Sequence, residues 1–324
     1  MKNYYFFNSD SNFFLGTTDL RAAEKELGIN CIYNRYTNLK SFFLALNRIH
    51  TSIQINQIIN LPFKKIWKKY DELDKIAPNN VLIVTDSSIK KLTLNDLENL
   101  KKKNISVYML FLNTASTNAA SYALQLTKLY TFKCIYTVDF FDAQKYGFVY
   151  TNQVYFKTDI KKLPIIKEHP KLFFVGNSKG RLDVLLKINS LINETLFYIS
   201  SVSKKEIVPQ KGIIYNRYIE YNEVLAFVLN SNCILEIVQE GQHGLTFRDY
   251  EAICYNRKLL TNNSAIFSLK EYNPNYISYF TDINDIDTRF VTKEDDVNFK
   301  YDNSYSPKYL IQKIIHFEEV ESIE

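Results

Sequence analysis

Proline and glycine are scarce, seven and eight in 324 residues, which excludes collagen-like, Pro-rich and low-complexity architectures. Histidine is rarer still: His50, His169, His243 and His316 are scattered, with no HxxxH or HExxH grouping to point to a metal. The four cysteines, Cys31, Cys134, Cys233 and Cys254, stand 103, 99 and 21 positions apart, so neither a CxxC pair nor a zinc-ligand spacing arises. Cys233 and Cys254 lie inside apolar runs and are expected to be buried, reduced thiols. No stretch of about 18 apolar residues occurs, and MKNYYFFNSDSNFF is interrupted by Asn8, Asp10 and Asn12 before it could serve as the core of a signal peptide; a cytoplasmic location is expected. Charge of one sign is also lacking. Forty basic residues face 35 acidic ones, and the net +5 is spread along the chain without a basic arm, so a nucleic-acid partner is not implied.

What is present is hydrophobic and aromatic. Hydrophobic residues make up 46% of the chain, and 24 Tyr and 23 Phe read mainly as core and strand residues. A chain of 324 residues exceeds the usual limit of one core, so two domains are expected. Apolar strands at Cys31 to Tyr33, Val81 to Thr85, Val107 to Leu112 and Cys134 to Val138 alternate with helical patterns at Leu39 to Ile49, Phe63 to Ile76, Leu94 to Lys102 and Ser116 to Tyr130. Such alternation specifies βαβ units and a parallel sheet. Residues 141–170 are poorer in pattern and contain Pro164 and Pro170; the linker is placed near 157–170.

The second half restarts the same grammar. It reads as strands Leu172 to Val175, Leu196 to Ser200, Gly212 to Tyr215, Ile234 to Val238, Lys258 to Leu260 and Tyr276 to Phe280, with helices at Leu182 to Leu191, Tyr221 to Asn230 and Phe247 to Tyr255. The closing PKYLIQKIIHFEEV carries a helical stripe of Leu310, Ile311, Ile314, Ile315 and Phe317 after a proline start. Open α/β sheets bind ligands beyond the carboxyl ends of their strands. The loops expected to form the site are therefore Asn8 to Asn12, Thr85 to Ser88, Asp139 to Asp142, Gly176 to Arg181, Asn216 to Tyr221 and Gly241 to Thr246.

Two segments carry the chemistry. In CILEIVQEGQHGLTFRDYEAICYNRKLLTNN a buried strand runs through a glycine-bearing loop into a helix with Thr246 as N-cap, Arg248 in the first turn and Glu251 one turn further along. A helix N-terminus presents unpaired N–H groups and the positive end of its dipole, so this loop is a candidate anion cradle, and a guanidinium in the first turn is accounted for by a bound phosphate. In FFVGNSKGRLDVLLKI a strand enters Gly176, followed by Lys179 and Arg181 before a helix; a diphosphate needs such cations, and Arg can bind two of its oxygens. GNSKG lacks the GK[ST] ending of a Walker A loop and the GxGxxG spacing of a dinucleotide fingerprint, so ATPase and NAD readings lose their main support.

GQHGLTFRDYEA followed by RKLLTNN resembles the donor-binding segment of bacterial GT-B glycosyltransferases that build lipopolysaccharide and capsule. Many retaining members carry a second glutamate eight positions before the one matched by Glu251; this chain has His243 there. TVDFFDAQKYGF resembles a recurrent first-domain segment of the same enzymes.

The resemblance implies an α/β GT-B fold: two Rossmann-like doubly wound domains facing a central cleft, residues 1–160 for the acceptor and 161–305 for the nucleotide-sugar donor, with a helix at 306–324 crossing back to the first. It implies transfer of a sugar from a nucleotide-diphosphate donor such as a UDP-sugar to a glycan or lipid-linked acceptor. Glu251 then holds the ribose, while Gly176, Lys179, Arg181, Gln242, His243, Gly244, Leu245, Thr246 and Arg248 surround the diphosphate, and Tyr218, with Asn216 and Arg217, rims the base. Asp10 or Asp139 is the candidate general base on the acceptor, with Asp142 beside the latter. No metal or cofactor is expected, since the helix dipole, Lys179 and Arg248 stabilise the departing diphosphate, and Asp285-Ile286-Asp287 is read as a chance DxD. The basic aromatic LPFKKIWKKYDELDK allows a peripheral contact with the inner face of the cytoplasmic membrane, or is an amphipathic helix with a solvated face. A sugar-nucleotide epimerase on the same twin-domain scaffold and a non-catalytic nucleotide-sugar or glycan-binding subunit are the competing readings.

Overall fold

The structure, a computed structural model, describes residues 2–7, 24–33, 35–36, 41–51, 62, 66–67, 70–118, 120–152, 154–155, 157–239 and 244–321. The chain divides into two compact units, Met1–Val154 with Leu310–Glu324, and Tyr155–Tyr309.

In the first unit the strands are β1 Tyr4–Phe7, β2 Ile29–Ile32, β3 Val81–Thr85, β4 Ser106–Phe111, β5 Cys134–Thr137 and β6 Val149–Tyr150. Between them run helices α1 Ser41–Thr51, α2 Leu94–Lys102, α3 Ser121–Leu129 and α4 Phe140–Tyr146. All pairings are parallel, in the order β2-β1-β3-β4-β5-β6. β3 is buried along its whole length because helices cover both faces of a parallel sheet. Its side chains alternate: Leu82 and Val84 join Leu97, Leu100, Ala123 and Leu126 on one face, while Val81 and Ile83 join Tyr4, Phe6, Tyr108 and Leu110 on the other.

The second unit contains β7 Leu172–Asn177, α5 Leu182–Leu191, β8 Thr195–Ser200, β9 Ile213–Tyr215, α6 Tyr221–Asn230, β10 Cys233–Glu236, α7 Phe247–Cys254, β11 Lys258–Thr261, β12 Ile277–Tyr279 and α8 Thr288–Thr292. Its six parallel strands are ordered β12-β11-β10-β7-β8-β9. Gly212, entering β9, has φ +84°, and a Cβ there would sit 2.5 Å from the carbonyl of Thr195, so only glycine lets β8 and β9 close up. Cys233 and Cys254 are buried and unbridged, and burial pushes the Cys233 thiol up to about 12. The last helix, α9 Pro307–Glu321, brings Leu310, Ile311 and Ile314 into the apolar cluster of the first unit. There its buried Glu318 accepts hydrogen bonds from Tyr108 Oη and Lys2 Nζ.

Three expectations are corrected. The helix read at Phe63 to Ile76 is not formed over its described end, where a 3₁₀ turn spans Glu72–Lys75. Asp71 caps that turn through Leu73 N at 3.1 Å and is held by Arg35 Nε and Nη2 at 2.9 and 2.8 Å. Trp67 is buried and donates to His50 Nδ1 at 3.1 Å, so it presents no aromatic face to a membrane. The patternless stretch after Asp139 contains α4, which Gly147 stops in the left-handed region at φ +71°. Tyr4–Phe7, to which the sequence pattern assigns no element, is a strand. Among the described residues no helix is long and apolar enough to cross a membrane.

Candidate functional site

Numbered within the second unit, its sheet runs 6-5-4-1-2-3, so the chain changes direction between its first strand, β7, and its fourth, β10. Loops leaving such neighbours at their carboxyl ends part to opposite faces and leave a crevice. Arg181 spans it. Its Nη1 donates to the carbonyl of Ile237, just beyond β10, while Nε and Nη2 donate to Asn177 O at 3.1 and 3.0 Å. The Phe174 ring lies under the guanidinium at 5.5 Å, and a Cβ on Gly176 would come within 3.1 Å of both Arg181 Nη2 and Phe174 Cζ. A side chain at Gly176 would make Arg181 and Phe174 shift by a few tenths of an ångström. Burial lowers the proton affinity of that guanidinium, and the carboxylate of Glu236 opposes the effect. Lys179 and Gly180, with φ of 37° and 80°, form an exposed turn that presents the lysine to solvent.

Across the crevice the start of α7 is already capped. Thr246 Oγ1 accepts from Arg248 N at 3.1 Å, and Asp249 accepts from Thr246 N at 2.6 Å, a complete capping box. The expected cradle of free N–H groups is therefore partly filled from within the chain, which leaves cations to carry more of the attraction for an anion. Beneath the cap lies a buried polar cluster. Glu236, last residue of β10, accepts from Thr246 Oγ1 at 2.5 Å, from Thr261 Oγ1 and from Asn263 Nδ2 at 3.4 Å; Asn263 Nδ2 also reaches Gly244 O at 3.1 Å. Sequence reading passed over Glu236, Asp249, Thr261 and Asn263. Two signals were available: Thr246-x-x-Asp249 is a capping-box spelling, and Glu236 is a lone acid inside the apolar run CILEIV.

Glu251 and Arg248 are brought together. Their side chains form an i,i+3 ion pair, and Tyr221 Oη donates to the other Glu251 oxygen at 3.0 Å. Tyr155 Oη in turn lies 3.1 Å from Tyr221 Oη. Glu251 is 0% exposed, and burial raises its pKa against the pull of Arg248. The carboxylate expected to face a ribose is buried and engaged by Arg248 and Tyr221, and the first-turn arginine is accounted for by Glu251 without invoking a phosphate. Leu245 packs on the core of the unit, while Gln242 and His243 lie outside the described residues.

The remaining candidates separate. Tyr218 is 79% exposed, its hydroxyl 3.3 Å from Glu220, whereas Asn216 is engaged by Val202 N and O at 3.0 and 2.8 Å. Asp10 lies outside the described residues. Asp139 caps α4, accepting from Phe141 N, Asp142 N and Thr114 Oγ1 at 2.9, 3.1 and 2.8 Å; Asp142 accepts from Ala115 N at 2.6 Å. Of the DxD pair, Asp287 caps α8 through Arg289 N at 2.9 Å.

No protein-family model and no curated protein matches the chain. Among solved structures, the S. aureus MnaA–UDP co-structure aligns with 100% of this chain and 98% of its own, at TM-score 0.52 and 11% identity. A Listeria monocytogenes protein described as a UDP-N-acetylglucosamine 2-epimerase aligns with 98% of each chain at TM-score 0.51 and 10% identity. Spinosyn rhamnosyltransferase SpnG, complexed with thymidine diphosphate, covers 81% of this chain and 80% of its own at TM-score 0.38 and 10% identity. At such identities the likeness is one of fold. The chain has the GT-B arrangement, two doubly wound α/β units with the last helix returned to the first.

Proposed function

We propose that the second unit binds a nucleotide-diphosphate sugar at the crevice between β7 and β10, and that the protein transfers the sugar to a glycan or lipid-linked acceptor held by the first unit. The observation that carries this reading is Arg181, which ties the loop after β7, where Lys179 stands, to the strand end of β10, beyond which α7 begins with Arg248 in its first turn. The diphosphate is the leaving group, and its charge grows as the glycosidic bond breaks. Cations fixed before reaction stabilise that charge without reorganisation. In this scheme Glu251 and Tyr221 hold Arg248 in place, Tyr218 contacts the base, and Asp10 is the proposed base on the acceptor because Asp139 is occupied as a cap. The full-length likeness to a UDP complex supports UDP as the nucleotide.

The likeness to a protein described as an epimerase favours a second reading, inversion of a sugar centre on the nucleotide itself. Thermal shift with a panel of nucleotide sugars tests the shared premise: a ligand at 100 times its Kd stabilises by about 2.7 kcal/mol, and no shift with any member overturns both. UDP-N-acetylglucosamine incubated alone separates the two. An unchanged sugar supports transfer; interconversion without an acceptor supports epimerisation.

A further inference from the structure

Glu236 and Asp249 are both buried, and both hold Thr246 at the start of α7, one through its hydroxyl and the other through its backbone N–H. Asp249 accepts from Thr246 N through Oδ2, yet its Oδ1, fully buried, has no hydrogen-bond donor. Glu236 has donors on both oxygens, all of them hydroxyl or amide groups. An orphaned carboxylate oxygen beside a second carboxylate is costly twice over, in lost hydration and in repulsion. A single proton on Asp249 Oδ1 removes both costs, because it turns the orphan into a donor to Glu236.

We infer that Glu236 and Asp249 share one proton and act as a positioning pair that holds Thr246 and Gly244 closed behind the diphosphate, releasing them when the proton is lost. Thr246 is bonded to both carboxyls, and Asn263 joins Glu236 to the Gly244 carbonyl, so repulsion within the pair acts directly on the loop. Among the described residues the charged groups around the pair are few. Arg181, from the loop after β7, acts on Glu236; on α7 itself Arg248 is paired with Glu251; β11 and the residues after it contribute the neutral Thr261 and Asn263. Glu240 and His243, between the two elements, lie outside the described residues, and the variants below separate the pair from any imidazole. Charge supports the same conclusion: two ionised carboxylates beneath a diphosphate oppose its binding, one does not overcome Lys179 and Arg181.

Burial and the neighbouring Glu236 hold the Asp249 proton well above the usual carboxylate range. Between the unfolded aspartate value of about 3.9 and that raised value the folded chain binds more protons than the unfolded one, so stability falls as pH rises through the window and levels off above it. This inference rests on the nucleotide-site reading only for its second measurement. The first is thermal unfolding of the full chain between pH 5 and 9, without nucleotide, for the wild type, Glu236→Gln and Asp249→Asn. The wild-type Tm is expected to fall with rising pH and both variants to flatten, since an amide N–H replaces the shared proton. The same slope in all three overturns the pair. The second is UDP affinity, expected to drop at least about tenfold across the pH range in which the wild-type Tm falls and to lose that drop in the variants. A flat wild-type affinity overturns the switch; no UDP binding at any pH overturns the nucleotide reading and leaves the Tm slopes to judge the pair. Should neither variant fold, infrared spectra of the wild type at neutral pH decide the matter: absence of a buried protonated-carboxyl stretch overturns the proposal, and its presence supports it.

Discussion

The two sheets use one grammar of buried strand and amphipathic helix, but they treat the polar groups at their carboxyl ends differently. In the first unit Asp86 accepts from Leu112 N and Asn113 Nδ2, Asp139 from two backbone amides and Thr114, and Asp142 from Ala115 N, so each acid ties one loop to its own sheet. In the second unit the corresponding ends carry Arg181, bonded across to Ile237 O, and the buried Glu236 and Asp249 on either side of Thr246, while Arg248 is paired with Glu251 along α7. The scaffold is shared, and the loops decide which half can attract an anion.

Replacing Glu251 with Ala breaks the second unit hardest. It strands Arg248 without its buried partner, and a loss of about 3–5 kcal/mol in denaturant unfolding is expected. Glu251→Gln, which keeps the Tyr221 contact, is expected to lose less stability and still weaken UDP binding at least about tenfold by calorimetry. Asp139→Ala probes the first unit: loss of the α4 cap costs about 1 kcal/mol, and UDP affinity stays unchanged. An altered UDP affinity in that variant would erase the contrast between the two halves. Tyr218→Ala is the mildest, within about 0.5 kcal/mol of wild-type stability because the ring is 79% exposed, with any effect confined to nucleotide affinity.

Much of this was legible residue by residue. The helices Leu182–Leu191, Tyr221–Asn230 and Leu94–Lys102 stand where periodicity put them, and the strand Val81–Thr85 where an unbroken apolar run does. The Arg248–Glu251 pair, three apart on one helix, and the Thr246–Asp249 capping box are local and could be read directly. The helix misread at Phe63 to Ile76 shows the limit: its lysines and aromatics repeat at helical spacing, but Asp71 is drawn into a 3₁₀ turn by Arg35, which is 36 residues away.

By itself the sequence determined where most of the strands and helices lie and that the sheets are parallel, because strands covered on both faces must be apolar throughout and are joined mainly through helices. Only the tertiary structure decided that β10 pairs with β7, and hence that Arg181 reaches Ile237, that Glu236 meets Asp249, Thr261 and Asn263, and that Glu251 is sealed beneath Tyr221. Those meetings depend on strand order, a choice among many arrangements of equal local propensity that is settled by packing between residues tens of positions apart.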